Sequence, residues 1–589
     1  MRPTLNVVRS EDRESSDENN NMVADYNKKA LNFIKEVTSK ADEIQKQVLS
    51  EILTQNANIE YLQRHGLDGC TDRETFKKMI PVVDYENIKP DIDRIANGNT
   101  SPILCYEPIS EFFTSSATSG GECKLIPMTE DAIQKTLLFF SLLMPVMDQF
   151  IPGLDKGKGI KFSFIRKETK TPGGLVARPA TISILKSQNL ITDRTYDPYA
   201  NYMTSPKEVI LCPDWYQSMY TQLLCGLCHN KQVLHVGATF ASGIVYAIKF
   251  LKKHWFLLCN DIRKGELDPK ITDPSVRETV MKILKPNPIL ANLVESQCAK
   301  GSWEGIIIKL WPNTKYISTI VTGTMSHYSG VLDYYSNCLP LVSPIYVSSD
   351  CHFALSLNPL LKPNDISYTF IPTMGYFEFL PVNREDTNFI SEPRVSLTNN
   401  ERLYRYRIGD ILLVTGFTNK TPQFSYMCRK NVVLSIDADK TDEVEIQNAV
   451  ENAANNLLQF DATLTEYTSY ADMSSIPGHY VLYWEIDLRG QIPIHPSVID
   501  NCCIVVEESL NSVYKTLRVV DKSIGPLEIK VVESGTFDKL MDYVLSKGAS
   551  ASQYKTPRCV KHASIIKLLN SNAVSNHFSP TCPKWVSYS

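Results

Sequence analysis

The segment FTSSATSGGECK, residues 113–124, gathers hydroxyl side chains, two adjacent glycines and a lysine into one turn-forming stretch. Small residues let backbone N–H groups approach an anion, and hydroxyls and a lysine add donors and charge, which is the chemistry of phosphate binding. Ser115, Ser116, Thr118, Ser119, Gly120, Gly121 and Lys124 supply those parts. The segment is not the GxxxxGK[ST] loop, because its glycines adjoin and its hydroxyls precede them. Read alone, it is equally an ordinary Ser/Gly surface turn. Three more segments carry chemistry. YVSSD, residues 346–350, follows an apolar strand and ends in Asp350, a carboxylate suited to a magnesium ion or to a hydrogen bond on the ATP side. YRIGD, residues 406–410, precedes a strand and offers Asp410 as an acceptor for both hydroxyls of a ribose. QYKTPR, residues 553–558, sets Lys555 in a Gly/Ser-flanked loop from which a mobile cation reaches a phosphate. Taken singly, an acid after a strand is a turn or helix cap and a loop lysine is solvated.

The elements that must position these residues follow from pattern. Helical stretches alternate with short β-branched runs from about residue 84 to residue 414, which predicts an α/β body whose β-sheets are covered by helices. Leu31, Ile34, Val37, Ala41, Ile44, Val48 and Ile52 fall on one face of a long helix that precedes it. Beyond about Lys430 the elements come at shorter spacing: a helix near 442–457, a strand at 480–487, a helix across 497–517, a strand at 527–532 and a helix at 538–545. Three regions are expected: a disordered tail over residues 1–24, a large domain over 25–430 and a smaller α+β domain over 431–589. With 43% apolar and 21% charged residues and a formal net charge of −4, the chain has no electrostatic footprint for nucleic acid. No run reaches the roughly 18 apolar residues of a membrane span. An odd count of 15 irregularly spaced cysteines, without an export signal, fits a cytoplasmic protein with reduced thiols. CGLCH, residues 225–229, matches a haem-attachment pattern, but the apolar stretch before it reads as a buried helix.

In this order, the Ser/Thr/Gly loop, the Tyr-x-Ser-Ser-acid segment, the Arg-x-Gly-Asp strand start and the lysine on a separate C-terminal domain resemble the adenylate-forming superfamily. More closely, the chain resembles the plant acyl acid amido synthetases of the Gretchen Hagen family, from about Asp25 onward, through VVLSIDADKT, IPGHYVLYWE, SIGPLEIKVV and GASASQYKTPR as well. The resemblance implies a large N-terminal domain binding ATP and an acyl acid, and a mobile C-terminal domain. It implies two half-reactions: a carboxylate attacks the α-phosphate of MgATP to give acyl-AMP, and an amino acid's amine then attacks the acyl carbon. By motif, Ser115, Ser116 and Thr118 correspond to phosphate contacts, Asp350 to the carboxylate serving Mg–ATP, Asp410 to the ribose acceptor and Lys555 to the catalytic C-terminal lysine. Tyr346 would lie by the adenine and Lys440 near the hinge and the site's mouth, also beside the nucleotide. Gly323, Thr324 and Met325 would line the point where acyl group and amine meet, with Phe140 and Leu143 on the helix after the loop and Phe240 completing the acyl pocket.

The chain departs from the family pattern in places. Ala117 stands where the first motif has glycine, Asp350 where glutamate is usual, Val347 where alanine or glycine is usual, and His327 where glutamine is common. If position 117 requires φ > 0, its alanine costs ~1–3 kcal/mol. Asp350, shorter by a methylene, is expected to hold magnesium through water. An impaired homologue that binds nucleotide or acid without efficient turnover is therefore the alternative to a working synthetase. The helix following the loop has no arginine, and its uncharged wall favours a small aromatic or aliphatic acid, of the plant-hormone or benzoate kind, held by apolar contact. A monomer is expected.

Overall fold

The computed structural model describes residues 16–114, 124–165, 168–191, 202–381, 394–399, 403–429, 432–436, 439, 441–488, 494–547 and 554–584. Among these residues, a four-stranded parallel sheet runs in the order Lys158–Phe162, Val233–Phe240, Tyr316–Ile320 and Leu341–Val342. Parallel strands need crossovers, and the helices Trp215–Cys228 and Ala241–Lys264 flank the central strand in sequence. The first of these is buried over most of its length, so Cys225 of the CGLCH segment belongs to the core and His229 closes the helix with Nδ1 2.8 Å from the Cys225 carbonyl. A seven-stranded antiparallel sheet, again among the described residues, carries Ile345–Val347 at one edge and Tyr406–Thr418 and Thr421–Arg429 as a long hairpin inside it. A four-stranded sheet formed around Glu111–Thr114 and Leu125–Met128 holds the two ends of the hydroxyl-rich segment, which itself lies outside the described residues. One apolar core ties these layers together, from Ala30 to Phe424.

A second body follows. Ala462–Asp472, His479–Leu488, Glu528–Val532 and Ala573–Phe578 form a mixed sheet. Period-two alternation explains how it is covered on both faces: Tyr480, Leu482 and Trp484 pack into one cluster with helix Pro496–Ser509, while Val481 and Tyr483 pack into another with Thr536–Ser546 and Ala563–Ser571.

Several expectations need correction. The first helix spans Ser16–Ser39 and so begins inside the stretch expected as a tail. The long helix is divided at Lys40 into Ser16–Ser39 and Ala41–Gln55, yet Lys40 N–H still donates to Glu36 O and Ile44 N–H to Lys40 O, so the apolar face continues. The helix expected across 497–517 stops at Ser509 and restarts at Ser512, because the Asn511 side chain accepts from Tyr514 N–H at 2.9 Å and caps a new turn.

Candidate active site

Asp410 sits within a register shift between the strands Arg394–Asn399 and Tyr406–Thr418, where Thr398 pairs with Arg407 and Ser396 with Ile411. Gly409 has φ +86°, a left-handed conformation that favours glycine, and this irregularity delivers the Asp410 carboxylate to the interior at 4 % exposure. The Tyr346 hydroxyl donates to Asp410 Oδ2 at 2.8 Å. Tyr346 is itself buried, stacked on Phe353 with ring centroids 5.1 Å apart. Its ring therefore belongs to an aromatic cluster, and its hydroxyl orients the carboxylate.

Both ends of the hydroxyl-rich segment are fixed beside this pair. On the C-terminal side, Lys124 Nζ donates to the Tyr406 hydroxyl at 3.2 Å and lies 5.0 Å from the centre of the Tyr85 ring. On the N-terminal side, the Ser349 hydroxyl reaches the Thr114 carbonyl at 3.5 Å. The two carboxylate motifs thus flank the segment, although Ser115, Ser116, Ala117 and Thr118, like Lys440, lie outside the described residues.

Asp350 is half-buried. The Ser348 hydroxyl donates to its Oδ2 at 3.0 Å and accepts from its backbone N–H at 3.2 Å, an arrangement that holds the short carboxylate in one orientation. It borders a narrow cavity of about 10 Å³ with Phe113, Lys135, Thr136, Ser349 and His352. A single oriented carboxylate among hydroxyls suits a hard cation that keeps several waters, as magnesium does. Among the described residues there is no cluster of three or more His, Cys, Asp or Glu, so phosphate oxygens and water would complete its coordination.

Phe140 is half-buried and meets the ring of His352 edge-on at 5.1 Å, while Thr136 Oγ1 lies 3.4 Å from His352 Nδ1. Leu143, also half-buried, opens the short helix Leu143–Asp148. Lys135 and His352 escaped sequence reasoning; the signal for His352 was its place two residues past Asp350 in a strand. Phe240 stands at the end of its parallel strand, opposite Ile320, and immediately precedes helix Ala241–Lys264. Gly323 begins the Gly323–Tyr328 turn that follows the Tyr316–Ile320 strand. Thr324 shares that turn, and Met325, expected beside the acyl group, is fully buried in the main core.

Gly323 has φ +60°, and a Cβ there would stand 2.7 Å from Cε1 of Tyr426, whose ring centroid is 6.2 Å from that of Tyr346. Gly323→Ala is expected to destabilise the protein by ~1–3 kcal/mol, from backbone strain together with displacement of Tyr426. Thermal unfolding checks this; an unchanged melting temperature removes the steric requirement.

Lys555 comes from the second body. Its Nζ lies 4.3 Å from the centre of the Phe240 ring, a cation–π contact that brings a residue of the second body to the end of the parallel sheet. Around it, the Ser242 hydroxyl donates to the Tyr554 carbonyl at 3.1 Å, and Lys249 pairs with Asp538 at 3.1 Å.

The comparisons with known proteins agree with one another. The N-terminal domain of the GH3 family matches residues 30–341, its central domain residues 368–429 and its C-terminal domain residues 444–564. The chain belongs to the GH3 family. It is 61% identical over 598 residues to indole-3-acetic acid-amido synthetase GH3.6 of Arabidopsis thaliana, covering 97% of each chain. With indole-3-acetic acid-amido synthetase GH3.8 of Oryza sativa subsp. indica it shares 52% identity over 571 residues, covering 94% of each. Among solved structures it is similar to the AtGH3.15 acyl acid amido synthetase in complex with 2,4-DB, with a TM-score of 0.88, 44% identity, and coverage of 95% of this chain and 98% of that one. The GH3 family's fold, a large N-terminal α/β domain with a separate C-terminal domain, is the one expected from the sequence.

Proposed function

We propose that this GH3 protein is an ATP- and magnesium-dependent ligase that joins a small aromatic carboxylic acid to an amino acid through an amide bond. The observation that supports this chemistry is the seating of Lys555 on Phe240, which brings a cation from the C-terminal body to the end of the parallel sheet; with the oriented carboxylates of Asp410 and Asp350 it would make up one site. In the first half-reaction an oxygen of the acid attacks the α-phosphorus of ATP, the bond to the departing pyrophosphate breaks, and acyl-AMP forms. Lys555, Lys124 and the hydroxyls of residues 115–119 would offset the charge that develops on the phosphates. Asp410, oriented by Tyr346, would accept the ribose hydroxyls, and Asp350 would hold magnesium through water. Magnesium bound there would supply charge that offsets the phosphates. In the second half-reaction the neutral amine nitrogen attacks the acyl carbon, the bond to AMP breaks and the proton lost from nitrogen passes to solvent; the step calls for oriented reactants and no protein nucleophile.

The names of the relatives favour a working synthetase over an impaired homologue, and they make indole-3-acetic acid the first acid to test. Phe140 and Phe240 supply apolar faces for such a ring. A cytoplasmic monomer handling only small molecules suits the composition, and among the described residues no helix is long and apolar enough to cross a membrane. Incubation of the full chain with ATP, magnesium, indole-3-acetic acid and mixed amino acids is expected to yield an acyl amino acid by mass spectrometry, together with pyrophosphate and AMP. Absence of product with this acid and with a panel of benzoates and short aliphatic acids would sink the proposal.

A further inference from the structure

Lys555 belongs to an extended strap, residues 554–560, in which Tyr554, Thr556, Arg558 and Val560 are buried and the residues between them are half-exposed. The strap is laced to the C-terminal sheet: Ser469 N–H donates to the Arg558 carbonyl at 2.9 Å and Val560 N–H to the Ser469 carbonyl at 2.8 Å. Beneath it lies Glu466, at a bulge in the strand Ala462–Asp472, with its side chain 8 % exposed. The Thr556 hydroxyl donates to Glu466 Oε2 at 2.8 Å, the Arg558 guanidinium pairs with Oε1, and the Tyr467 backbone N–H donates to Oε1 at 3.1 Å. Another donor comes from the N-terminal body. The Tyr328 hydroxyl, at the end of the Gly323–Tyr328 turn, donates to Glu466 Oε2.

A carboxylate withdrawn from water is stable only where charge and hydrogen bonds replace its hydration. Glu466 draws these from its own strand, from the strap and from the opposite body, so its complete set of partners exists only when strap and turn lie together. Arg558, 2 % exposed and stacked 4.3 Å from the Tyr467 ring, keeps the strap side of this junction rigid. The same turn receives a second tie, from Gln447 Nε2 to Ser326 Oγ at 2.7 Å.

We propose that Glu466 is a positioning residue for Lys555: by binding Tyr328 on one side and Thr556 and Arg558 on the other, it fixes the strap where Lys555 meets the site. The proposal rests on the reading of Lys555 as the cation of acyl-AMP formation. Tyr328→Phe in the full chain removes the tie that Glu466 makes to the N-terminal body, leaving the Ser242–Tyr554 and Gln447–Ser326 bonds in place, while the ring stays in the core and Glu466 keeps Thr556 and Arg558. The expected result is a roughly tenfold or greater loss in acid-dependent pyrophosphate release, the size of one hydrogen bond to a charged group, with amide formation from preformed acyl-AMP within about twofold of wild type. Backbone hydrogen exchange across residues 554–560 is expected to speed up in the same variant. Equal slowing of both half-reactions, unchanged pyrophosphate release, or unchanged exchange in the strap would each overturn the proposal. If wild-type protein releases no pyrophosphate with any acid, it is the functional reading that fails, and strap exchange in Tyr328→Phe still decides whether Glu466 holds the strap.

Discussion

Asp410→Ala is expected to lower acid-dependent pyrophosphate release by about 100-fold or more. Hydrogen bonds to a charged group contribute ~1.5–3 kcal/mol each, and two ribose hydroxyls would lose their acceptor together. The loss of two such bonds corresponds to roughly 100-fold to 10,000-fold in rate if both are made in the transition state. The Tyr346 hydroxyl, now 2.8 Å from Oδ2, would also be left without this acceptor inside an aromatic cluster. Tyr346→Phe offers the contrast, because it leaves the carboxylate in place and removes only its orientation; a loss of about tenfold is expected. Calorimetry with ATP separates binding from chemistry, since the Asp410 variant should bind nucleotide weakly while the Tyr346 variant binds it nearly normally. Unchanged affinity and unchanged pyrophosphate release in Asp410→Ala would remove this residue from the site.

Asp410 was legible in the sequence because Arg-Ile-Gly-Asp couples a glycine to an acid at the start of an apolar strand, and the φ of +86° at Gly409 is the kind of local need that a glycine advertises. The setting of Asp350 was legible for a similar reason, as an acid that ends a Ser-Ser turn after an apolar strand, where Ser348 orients it; its service to magnesium belongs to the proposal. Tyr346 carried an ambiguous signal. An aromatic residue on such a strand can fill the core or face a bound base, and its packing against the rings of Phe353, Tyr368 and Tyr426 is set by residues that local pattern does not bring together. Met325 carried the same ambiguity: its place in the Gly323–Tyr328 turn was legible, but its burial in the main core depends on packing that local pattern does not record.

Glu466 left no trace in the sequence pattern. Its partners are 138, 90 and 92 residues away in Tyr328, Thr556 and Arg558. An isolated acid in TLTEYTSY reads as a solvated position, and the strand Ala462–Asp472 was itself missed because its inward face carries this acid and hydroxyls where an apolar run would be sought. Local periodicity records what each segment needs from the core. It does not record a charge neutralised by a segment far along the chain, and a junction between two bodies is made of such charges.

Lys555→Ala is expected to slow acyl-AMP formation by roughly 100-fold to 1,000-fold, the range seen when one donor to a developing oxyanion is removed. Amide formation from preformed acyl-AMP should change by less than about threefold, because by then pyrophosphate has left and less charge remains to be offset. Two separable roles can be told apart for this residue: the cation proposed for the first half-reaction, and the cover that it forms on the Phe240 ring. Lys555→Met separates them, since its side chain still packs on the ring but carries no charge. If charge is what matters, Met and Ala variants lose the first half-reaction to a similar degree. If contact with Phe240 is what matters, Met restores most of the rate and Phe240→Leu lowers it as Lys555→Ala does. Equal slowing of both half-reactions in Lys555→Ala would instead make the lysine part of the junction that Glu466 organises, needed whenever the two bodies meet and not for the charge of one step.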